Sequence, residues 1–362
     1  MKKSLIALAV LAASGAAMAQ SSVTLFGIVD AGIARLSGSN GHNIGMTNSG
    51  LNSSRLGFRG TEDLGGGLSA GFHLEGAVFN DTGTGASTTT PTTVGGVPVP
   101  AIASNGFDFQ RRSTVSLNGA FGEVRLGRDY APSFWNTTVF DPFGTVGVGA
   151  GLMPAMLGAP VRNNNSVGYF LPGNLGGFYG QAQYAFGENP SNAVPATDAG
   201  DYAGFRVGYA NGPVNAAFGY GKLDTGAGAT KGDNKATNLG VSYNFGVVTP
   251  MFSWAQEKAR VGAVTTKQNA WEIGATAPIG AGELRAAYSR YDLKGSPNDF
   301  RKVAIGYGHN LSKRTQLYTT YGRVTNKGAS NRLVVSGGLS AAGLNTPGRN
   351  TSGFEFGVRH SF

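Results

Sequence analysis

The chain closes with GFEFGVRHSF, residues 353–362, in which every second side chain is aromatic or aliphatic. In a β-strand, Phe354, Phe356, Val358, His360 and Phe362 would project from one face, and glycine and polar residues from the other. An amphipathic strand of about ten residues is long enough to cross a bilayer. Because lipid cannot satisfy backbone polar groups, such a strand must belong to a closed barrel.

The same alternation recurs along the chain and predicts further strands. They fall near residues 23–36, 54–61, 68–76, 108–118, 123–128, 162–171, 178–187, 202–210, 214–221, 236–245, 248–257, 268–277, 283–291, 301–309 and 315–324. With the last segment the total is sixteen, an even number, as antiparallel closure with both termini at one rim requires. We therefore predict an all-β fold, a 16-stranded antiparallel transmembrane β-barrel. A β-sandwich is the alternative, but it would not need inward polar positions in every strand.

The predicted connections alternate in length, as they do in barrels with one periplasmic and one external rim. Short turns fall at 119–122, 211–213 and 311–314. The run 80–106 is rich in Thr, Gly and Pro and indicates a long external loop. Residues 222–235 and 325–352 are expected to form further external loops.

Residues 1–19 have the pattern of a secretory signal peptide. Lys2 and Lys3 precede an apolar run at 5–13, and the small-residue sequence AMA occupies 17–19. The pattern predicts cleavage after Ala19 and a mature barrel of residues 20–362. A membrane-anchoring helix is the alternative, but the apolar run is too short for one.

The amino-acid composition excludes several classes of protein. The chain has 362 residues, of which 59 are glycine and none is cysteine, and 41% are hydrophobic. That hydrophobic share is too low for a helical membrane protein but suits a barrel with a wet interior. The net charge of +9 becomes +7 without the two signal lysines. A secreted chain with no recognition module does not favour nucleic acid as a partner, so the basic balance indicates a lumen or surface that favours anions.

The connection between Arg128 and Arg162 is too apolar for an exposed loop. It contains Phe134, Trp135, Val139, Phe140, Phe143, Val146, Leu152, Met153, Met156 and Leu157. Exposing this area to water would cost roughly 25 cal/mol per Å². We predict that this third external loop folds into the barrel, so that Asp129 and Asp141 face the lumen. Packing on a neighbouring subunit is the alternative.

Several segments together resemble the general diffusion porins of Gram-negative bacteria, especially the Burkholderia and Neisseria type. They are VTLFGIVD (23–30), SRLGFRG (54–60), FGEVRLGR (121–128), RNNNS (162–166), LSKRT (311–315) and GVRHSF (357–362). They are spread over nearly the whole mature chain. No single segment is specific, but the set is.

The resemblance implies a homotrimer of sixteen-stranded barrels, each with a pore narrowed by the third loop. It also implies a transverse field between wall arginines and loop acids. By motif, Arg55, Arg111 and Arg162 match the arginine positions, and Asp141 matches the acidic turn. Few other acids lie in this loop, so the local charge balance is expected to be positive.

The alternation itself supports part of this set and leaves part open. Arg55 and Arg59 share the face opposite Leu56 and Phe58 and therefore point to water. Strict alternation aims Arg112 inward and Arg111 outward, whereas the resemblance favours Arg111; a β-bulge would reconcile the two. The pore-constriction candidates are Arg55, Arg59, Arg111, Arg162, Asp129 and Asp141. Each arginine could instead be a solvated rim residue without effect on flux.

These features predict an outer-membrane channel for passive diffusion of ions and small hydrophilic solutes, with a weak anion preference and no bound cofactor or metal. A solute-specific channel or a barrel-anchored adhesin is one alternative. A barrel enzyme is another, but His42, His73, His309 and His360 have no evident catalytic partners. The glycine-rich run at 147–151 lacks the strand-to-helix context of a nucleotide loop.

Overall fold

The computed structural model describes residues 22–85, 92–94, 97–99, 106–151, 157–190, 192 and 198–362. The predicted signal peptide and the mature start at Gln20 lie outside these residues. So do Leu152, Met153, Met156 and part of the predicted loop at 80–106.

Sixteen antiparallel strand positions make up the barrel in the described part of the chain, which confirms the predicted fold class. The second position, β2, consists of two segments separated by residues 49–54. The strands are β1 (Ser22–Gly38), β2 (Gly41–Asn48 and Arg55–Gly65), β3 (Leu68–Phe79), β4 (Arg112–Gly119), β5 (Gly122–Tyr130), β6 (Arg162–Phe170), β7 (Phe178–Ala185), β8 (Tyr202–Asn211), β9 (Val214–Thr225), β10 (Gly232–Tyr243), β11 (Thr249–Val261), β12 (Val264–Ile279), β13 (Gly282–Leu293), β14 (Phe300–Asn310), β15 (Thr315–Asn326) and β16 (Thr351–Ser361).

Regular structure outside the barrel wall is scarce in the described residues. One helix, α1 (Pro132–Val139), follows β5 directly, and a 3-10 turn spans Gly228–Thr230. Short strand pieces at Thr84–Gly85, Thr92–Val94 and Val97–Val99 lie between β3 and β4. None of the helices in the described part of the chain has the length and apolar character needed to cross a bilayer.

Strand β1 closes the barrel because it pairs with β2 along one edge and with β16 along the other. Thr24 lies opposite Arg59 on β2, and Asp30 lies opposite Arg359 on β16. A closed sheet leaves no unpaired edge, so every spanning strand can satisfy its backbone within the wall. The last strand is therefore one of the wall strands of the barrel, as its alternation predicts.

The burial pattern is the reverse of that in a water-soluble protein. Leu25, Ile33 and Phe356 are each more than half exposed on the outer face, whereas Glu272 and Glu355 are buried on the inner face. A continuous exposed apolar surface of this kind would be costly in water but is expected in contact with lipid. The barrel therefore presents an apolar exterior and a polar interior.

The break in β2 is organised by the carboxylate of Asp30. One oxygen accepts the backbone N–H groups of Leu51 and Asn52, both at 2.7 Å, and the other accepts the hydroxyl of Tyr318 at 2.6 Å. These contacts allow the chain to leave the sheet at residue 49 and return at residue 55. The segment Gly41–Asn48 was not among the predicted strands, because its polar and glycine-rich composition obscures the alternation.

The predicted external loop at 222–235 is wrong in extent. Strand β9 continues to Thr225 and β10 begins at Gly232, with Lys222 opposite Lys235 and Thr225 opposite Gly232. Only residues 226–231 connect them, because ladder hydrogen bonds continue through the polar residues above the apolar band. Polar composition marks where the lipid ends, not where the strand ends.

The two rims of the barrel differ in their connections, as predicted. At the rim where β1 begins and β16 ends, pairs such as β4–β5 and β12–β13 are joined by two-residue turns. At the opposite rim, long segments follow β3, β5, β7 and β15. By the rule for such barrels, the second rim faces the exterior.

Candidate functional site

A cavity of about 590 Å³ lies between the inner wall of β2–β6 and the segment that follows β5. Its wall is strongly basic because four guanidinium groups contribute to it, against the single carboxylate of Glu75. The four are Arg55 on β2, Arg111 and Arg112 at the start of β4, and Arg162 at the start of β6. The structure thus brings three of the six predicted residues together.

Glu75 on β3 organises part of this cluster. Its carboxylate accepts a hydrogen bond from Nε of Arg111 at 2.6 Å, and a terminal nitrogen of Arg55 lies 3.6 Å away. The His73 ring nitrogen Nε2 lies 3.5 Å from the other carboxylate oxygen. One carboxylate cannot neutralise four guanidinium groups, so the cavity wall carries a net positive charge.

Tyr130, at the end of β5, holds two of the arginines. Its hydroxyl accepts hydrogen bonds from terminal nitrogens of Arg111 at 2.8 Å and Arg162 at 2.5 Å. The Arg162 guanidinium also lies 4.1 Å from the centre of the Tyr130 ring, in cation–π geometry. Phe134 stacks on the same ring, with centroids 5.6 Å apart. The tyrosine therefore fixes two positive charges through a neutral group.

Arg111 and Arg112 both line the cavity, which resolves the alternative left open by the sequence. Arg112 is the first residue of β4 and lies opposite Glu75, so it points inward by alternation. Arg111 precedes the strand, although its backbone N–H still donates to the carbonyl of Glu75 at 3.0 Å. Because alternation does not extend to Arg111, its side chain can turn inward as well.

The structure does not bring Arg59 or Asp129 into the cavity lining. Arg59 is exposed, and its guanidinium lies 5.3 Å from the centre of the Phe26 ring. Asp129 is buried and bonds to Arg125 at 2.5 Å, with Nε of Arg112 at 3.5 Å. Asp129 therefore pairs with Arg125 and lies near Arg112, one of the four arginines that line the cavity, so the wall keeps a net positive charge.

Asp141 is buried within the segment after β5 and does not line the cavity. Its carboxylate accepts the backbone N–H groups of Phe143 at 2.8 Å and of Thr145 and Gly151, each at 2.9 Å. Burial raises the pKa of this carboxyl group, while the three N–H donors act in the opposite direction. The Asp141 carboxylate, which was predicted to face the lumen, thus holds residues 143–151 in a turn through these hydrogen bonds.

Residues of segment 131–151 contact residues of strands β8, β10 and β16. On α1, the Asn136 amide donates to Asn238 on β10 at 2.9 Å and accepts from Arg206 on β8 at 2.5 Å. Phe140 is fully buried against Gly240, where an added Cβ would overlap its ring. Further along, the N–H of Val148 donates to Glu355 on β16 at 3.2 Å. Phe140 and Phe143, two of the apolar residues predicted to avoid water, are therefore buried by the same chain.

Sequence reasoning missed Tyr130 and Glu75 as members of the site, whereas alternation had already aimed Arg112 inward. Glu75 occupies an inward position in the alternation of β3, which is a usable signal, because an inward acid near inward arginines implies pairing. Tyr130 gives no such signal, since its role depends on where three separate strands meet. Among the described residues, no group of three or more His, Cys, Asp or Glu could hold a metal ion.

A closed barrel with an apolar exterior, a polar interior and a cationic inner wall defines a channel-forming membrane protein. The chain matches the family profile of the Gram-negative porins over residues 5–329, and it belongs to that family. It is an outer-membrane porin, which forms a water-filled channel for passive diffusion of ions and small hydrophilic solutes.

Its relatives agree with this assignment. The chain is 43% identical to outer membrane porin protein 32 of Delftia acidovorans, with all of both chains covered. It is 32% identical to an outer membrane porin protein of Bordetella pertussis, over 88% of this chain and 93% of that one. The anion-selective porin from Comamonas acidovorans superposes with a TM-score of 0.83 at 40% identity, over 95% of this chain and 100% of that structure.

Proposed function

We propose that this porin is a general diffusion channel with a weak preference for anions, set by Arg55, Arg111 and Arg162. The observation that carries the proposal is the cavity wall, where four guanidinium groups face one carboxylate. Rings of Arg or Lys favour anions in aqueous pores. The 40% identical structure from Comamonas acidovorans is described as anion-selective, which supports the same sign here.

The segment after β5 is proposed to narrow the pore opposite these arginines. Its hydrogen bonds to Asn238, Arg206 and Glu355 support an inward fold, because all three lie on inner faces of the wall. The full burial of Phe140 in a single chain argues against packing on a neighbouring subunit. Asp141 then contributes by shaping this segment, Asp129 by neutralising part of the wall, and Arg59 by charging the approach.

Selectivity in this proposal arises from charge and width alone. The Debye length is about 8 Å at physiological ionic strength, so charges on the wall act across a narrow pore but are screened as salt rises. No covalent step and no cofactor enter the mechanism. We further propose that the porin is a homotrimer, as the sequence resemblance implies.

The test is the reversal potential of reconstituted channels under a KCl gradient. The wild-type protein should give a chloride-to-potassium permeability ratio above one that approaches one as salt is raised. The double variant Arg111→Gln, Arg162→Gln should lower the ratio by about twofold or more at low salt.

The matched control is Lys313→Gln, Arg314→Gln, which removes two exposed charges at the short-turn rim. It should leave the ratio unchanged. A cation preference in the wild type, or equal effects of the two double variants, would refute the proposed role of the cavity. Conductance steps in groups of three would support the trimer.

A further inference from the structure

The apolar residues of the segment after β5 fall into two groups. Phe140 and Phe143 are buried, as expected for apolar side chains that avoid water. Phe134, Trp135 and Val146 are only partly buried, and they line the cavity of about 590 Å³ that also holds the arginines. Apolar area left in contact with water is unfavourable. Packing of the chain on itself therefore does not account for the position of the second group.

The aromatic residues of the cavity form a cluster around Tyr130. The ring centre of Trp135 lies 4.8 Å from that of Tyr130, with an angle of 46° between the ring planes. The Phe134 ring is stacked on Tyr130 at an angle of 9°. All three residues line the cavity, and Val146 and Val161 extend this apolar surface. Concave surfaces lined by aromatic and aliphatic side chains, with a few polar groups, are typical of sites for small organic ligands.

The aromatic cluster adjoins the arginines directly, because Tyr130 belongs to both groups. The guanidinium of Arg162 lies 4.1 Å from the centre of the Tyr130 ring, and the Tyr130 hydroxyl accepts a hydrogen bond from Arg111 at 2.8 Å. The same ring contacts Trp135. A small molecule in this part of the cavity can therefore meet a positive charge at one end and an aromatic surface at the other.

Arg162 keeps both charge and hydrogen-bonding capacity for such a molecule. In the part of the chain that the structure describes, no carboxylate lies within 4 Å of its guanidinium. Its hydrogen bond to Tyr130 uses one terminal nitrogen and a neutral acceptor. A guanidinium has five N–H donors in a planar fork, which matches a carboxylate through two parallel hydrogen bonds. A carboxylate therefore uses this arginine more fully than a spherical halide ion does.

We propose that the cavity binds carboxylates that carry an aromatic ring, with the carboxylate on Arg162 and the ring against Trp135 and Phe134. The inference rests on the proposed function, and it adds a contact with the solute to the effects of charge and width. Aromatic pairs are stabilised beyond the area that they bury, which favours an aromatic ring over an aliphatic one of similar size. Such anions make contacts that chloride and acetate lack, so they should occupy the cavity for longer.

The test measures how an added solute reduces the chloride current through single reconstituted channels. A solute that binds in the pore lowers this current, and the concentration that halves the current measures its affinity. The probes are benzoate, cyclohexanecarboxylate, acetate and benzamide. Cyclohexanecarboxylate has the charge of benzoate and a similar size but no aromatic ring, acetate has no ring, and benzamide has the ring without the charge. Benzoate should bind about twofold to tenfold more tightly than cyclohexanecarboxylate, and tighter still relative to acetate and benzamide.

Two variants of Trp135 separate the aromatic ring from apolar bulk. Trp135→Leu removes the ring but keeps an apolar side chain, whereas Trp135→Phe keeps a ring. The leucine variant should lose most of the preference for benzoate over cyclohexanecarboxylate, and the phenylalanine variant should retain most of it. Trp254→Leu is the matched control, because Trp254 lies on β11 opposite Trp271 and outside the cavity lining. This control should show the same preference as the wild type.

Equal affinity of the wild type for benzoate and cyclohexanecarboxylate would overturn the proposal. An unchanged preference in Trp135→Leu would also overturn it, and so would binding of benzamide as tight as that of benzoate. The chloride-to-potassium permeability ratio of the same channels tests the proposed function separately. A ratio above one without a preference for benzoate would reject this inference and leave the anion preference intact. A ratio below one would reject the proposed function itself.

Discussion

Arg162 and Tyr130 form a two-point contact in which the guanidinium donates to the phenol oxygen at 2.5 Å and also stacks on the ring at 4.1 Å. The contact orients the arginine without an acid. A carboxylate in the same place would orient it equally well but would cancel its charge. The cavity thus combines a fixed geometry with a net positive wall.

Replacing Tyr130 by Phe separates the two halves of this contact. The stacked ring remains, whereas the hydrogen bonds to Arg111 and Arg162, each worth about 1.5–3 kcal/mol for a charged donor, are lost. We expect the anion preference to persist and the open-channel current noise to rise, because the arginines keep their charge but lose their restraint. Single-channel recordings measure both quantities. Loss of anion preference in Tyr130→Phe, with conductance intact, would contradict the role assigned to the ring.

Replacing Glu75 by Gln removes the single carboxylate of the cavity wall. The anion preference should rise by about twofold at low salt, because the negative charge of Glu75 is removed while the positive charges of the arginines stay. Glu62→Gln serves as the control, since Glu62 is exposed near the short-turn rim. Reversal potentials of the two variants measure the chloride-to-potassium permeability ratio. An unchanged ratio in Glu75→Gln would mean that Glu75 is screened from the permeating ions.

The contact between Phe140 and Gly240 predicts how the segment after β5 is held. A methyl group at Gly240 would overlap the Phe140 ring, and overpacking of this kind costs about 1–3 kcal/mol. The ring can relieve the overlap only by moving away from the wall. We therefore expect Gly240→Ala to lower the single-channel conductance. Gly173→Ala is the control, because a Cβ there meets no atom within 4 Å; equal conductance in both variants would refute the prediction.

The amino-terminal prediction is open to a direct measurement. Residues 1–19 have the pattern of a signal peptide, so protein isolated from outer membranes should begin at Gln20. Intact-mass analysis with amino-terminal sequencing reports the cleavage site. Protein that retains Met1 in the membrane would contradict it.

The sequence predicts the barrel well because alternation is a property of each strand by itself. The last strand, predicted at 353–362 and observed as Thr351–Ser361, needs no information from elsewhere in the chain. The site is harder, because its geometry depends on strands far apart in sequence. Arg55 and Arg162 could be proposed from local patterns, but Tyr130 joins Arg162 to Arg111 only after β4, β5 and β6 are assembled. Asp141 shows the opposite problem. As an acid in the third loop it was predicted to face the lumen, whereas its carboxylate accepts hydrogen bonds from nearby backbone N–H groups.

The last prediction concerns Asp141, whose carboxylate holds the turn between Phe143 and Gly151. Asp141→Asn keeps the size of the side chain but replaces one acceptor oxygen by a donor, which can no longer accept from Thr145 and Gly151. Each buried donor left without a partner costs about 1–3 kcal/mol, so the segment should loosen while the barrel stays folded. We expect the voltage needed to close the channel to fall, with little change in the sign of selectivity. Asp198→Asn is the control, because that side chain is 38% exposed in the connection after β7. If Asp141→Asn reversed the anion preference and left voltage closure unchanged, Asp141 would act on the permeating ions directly and not through the turn.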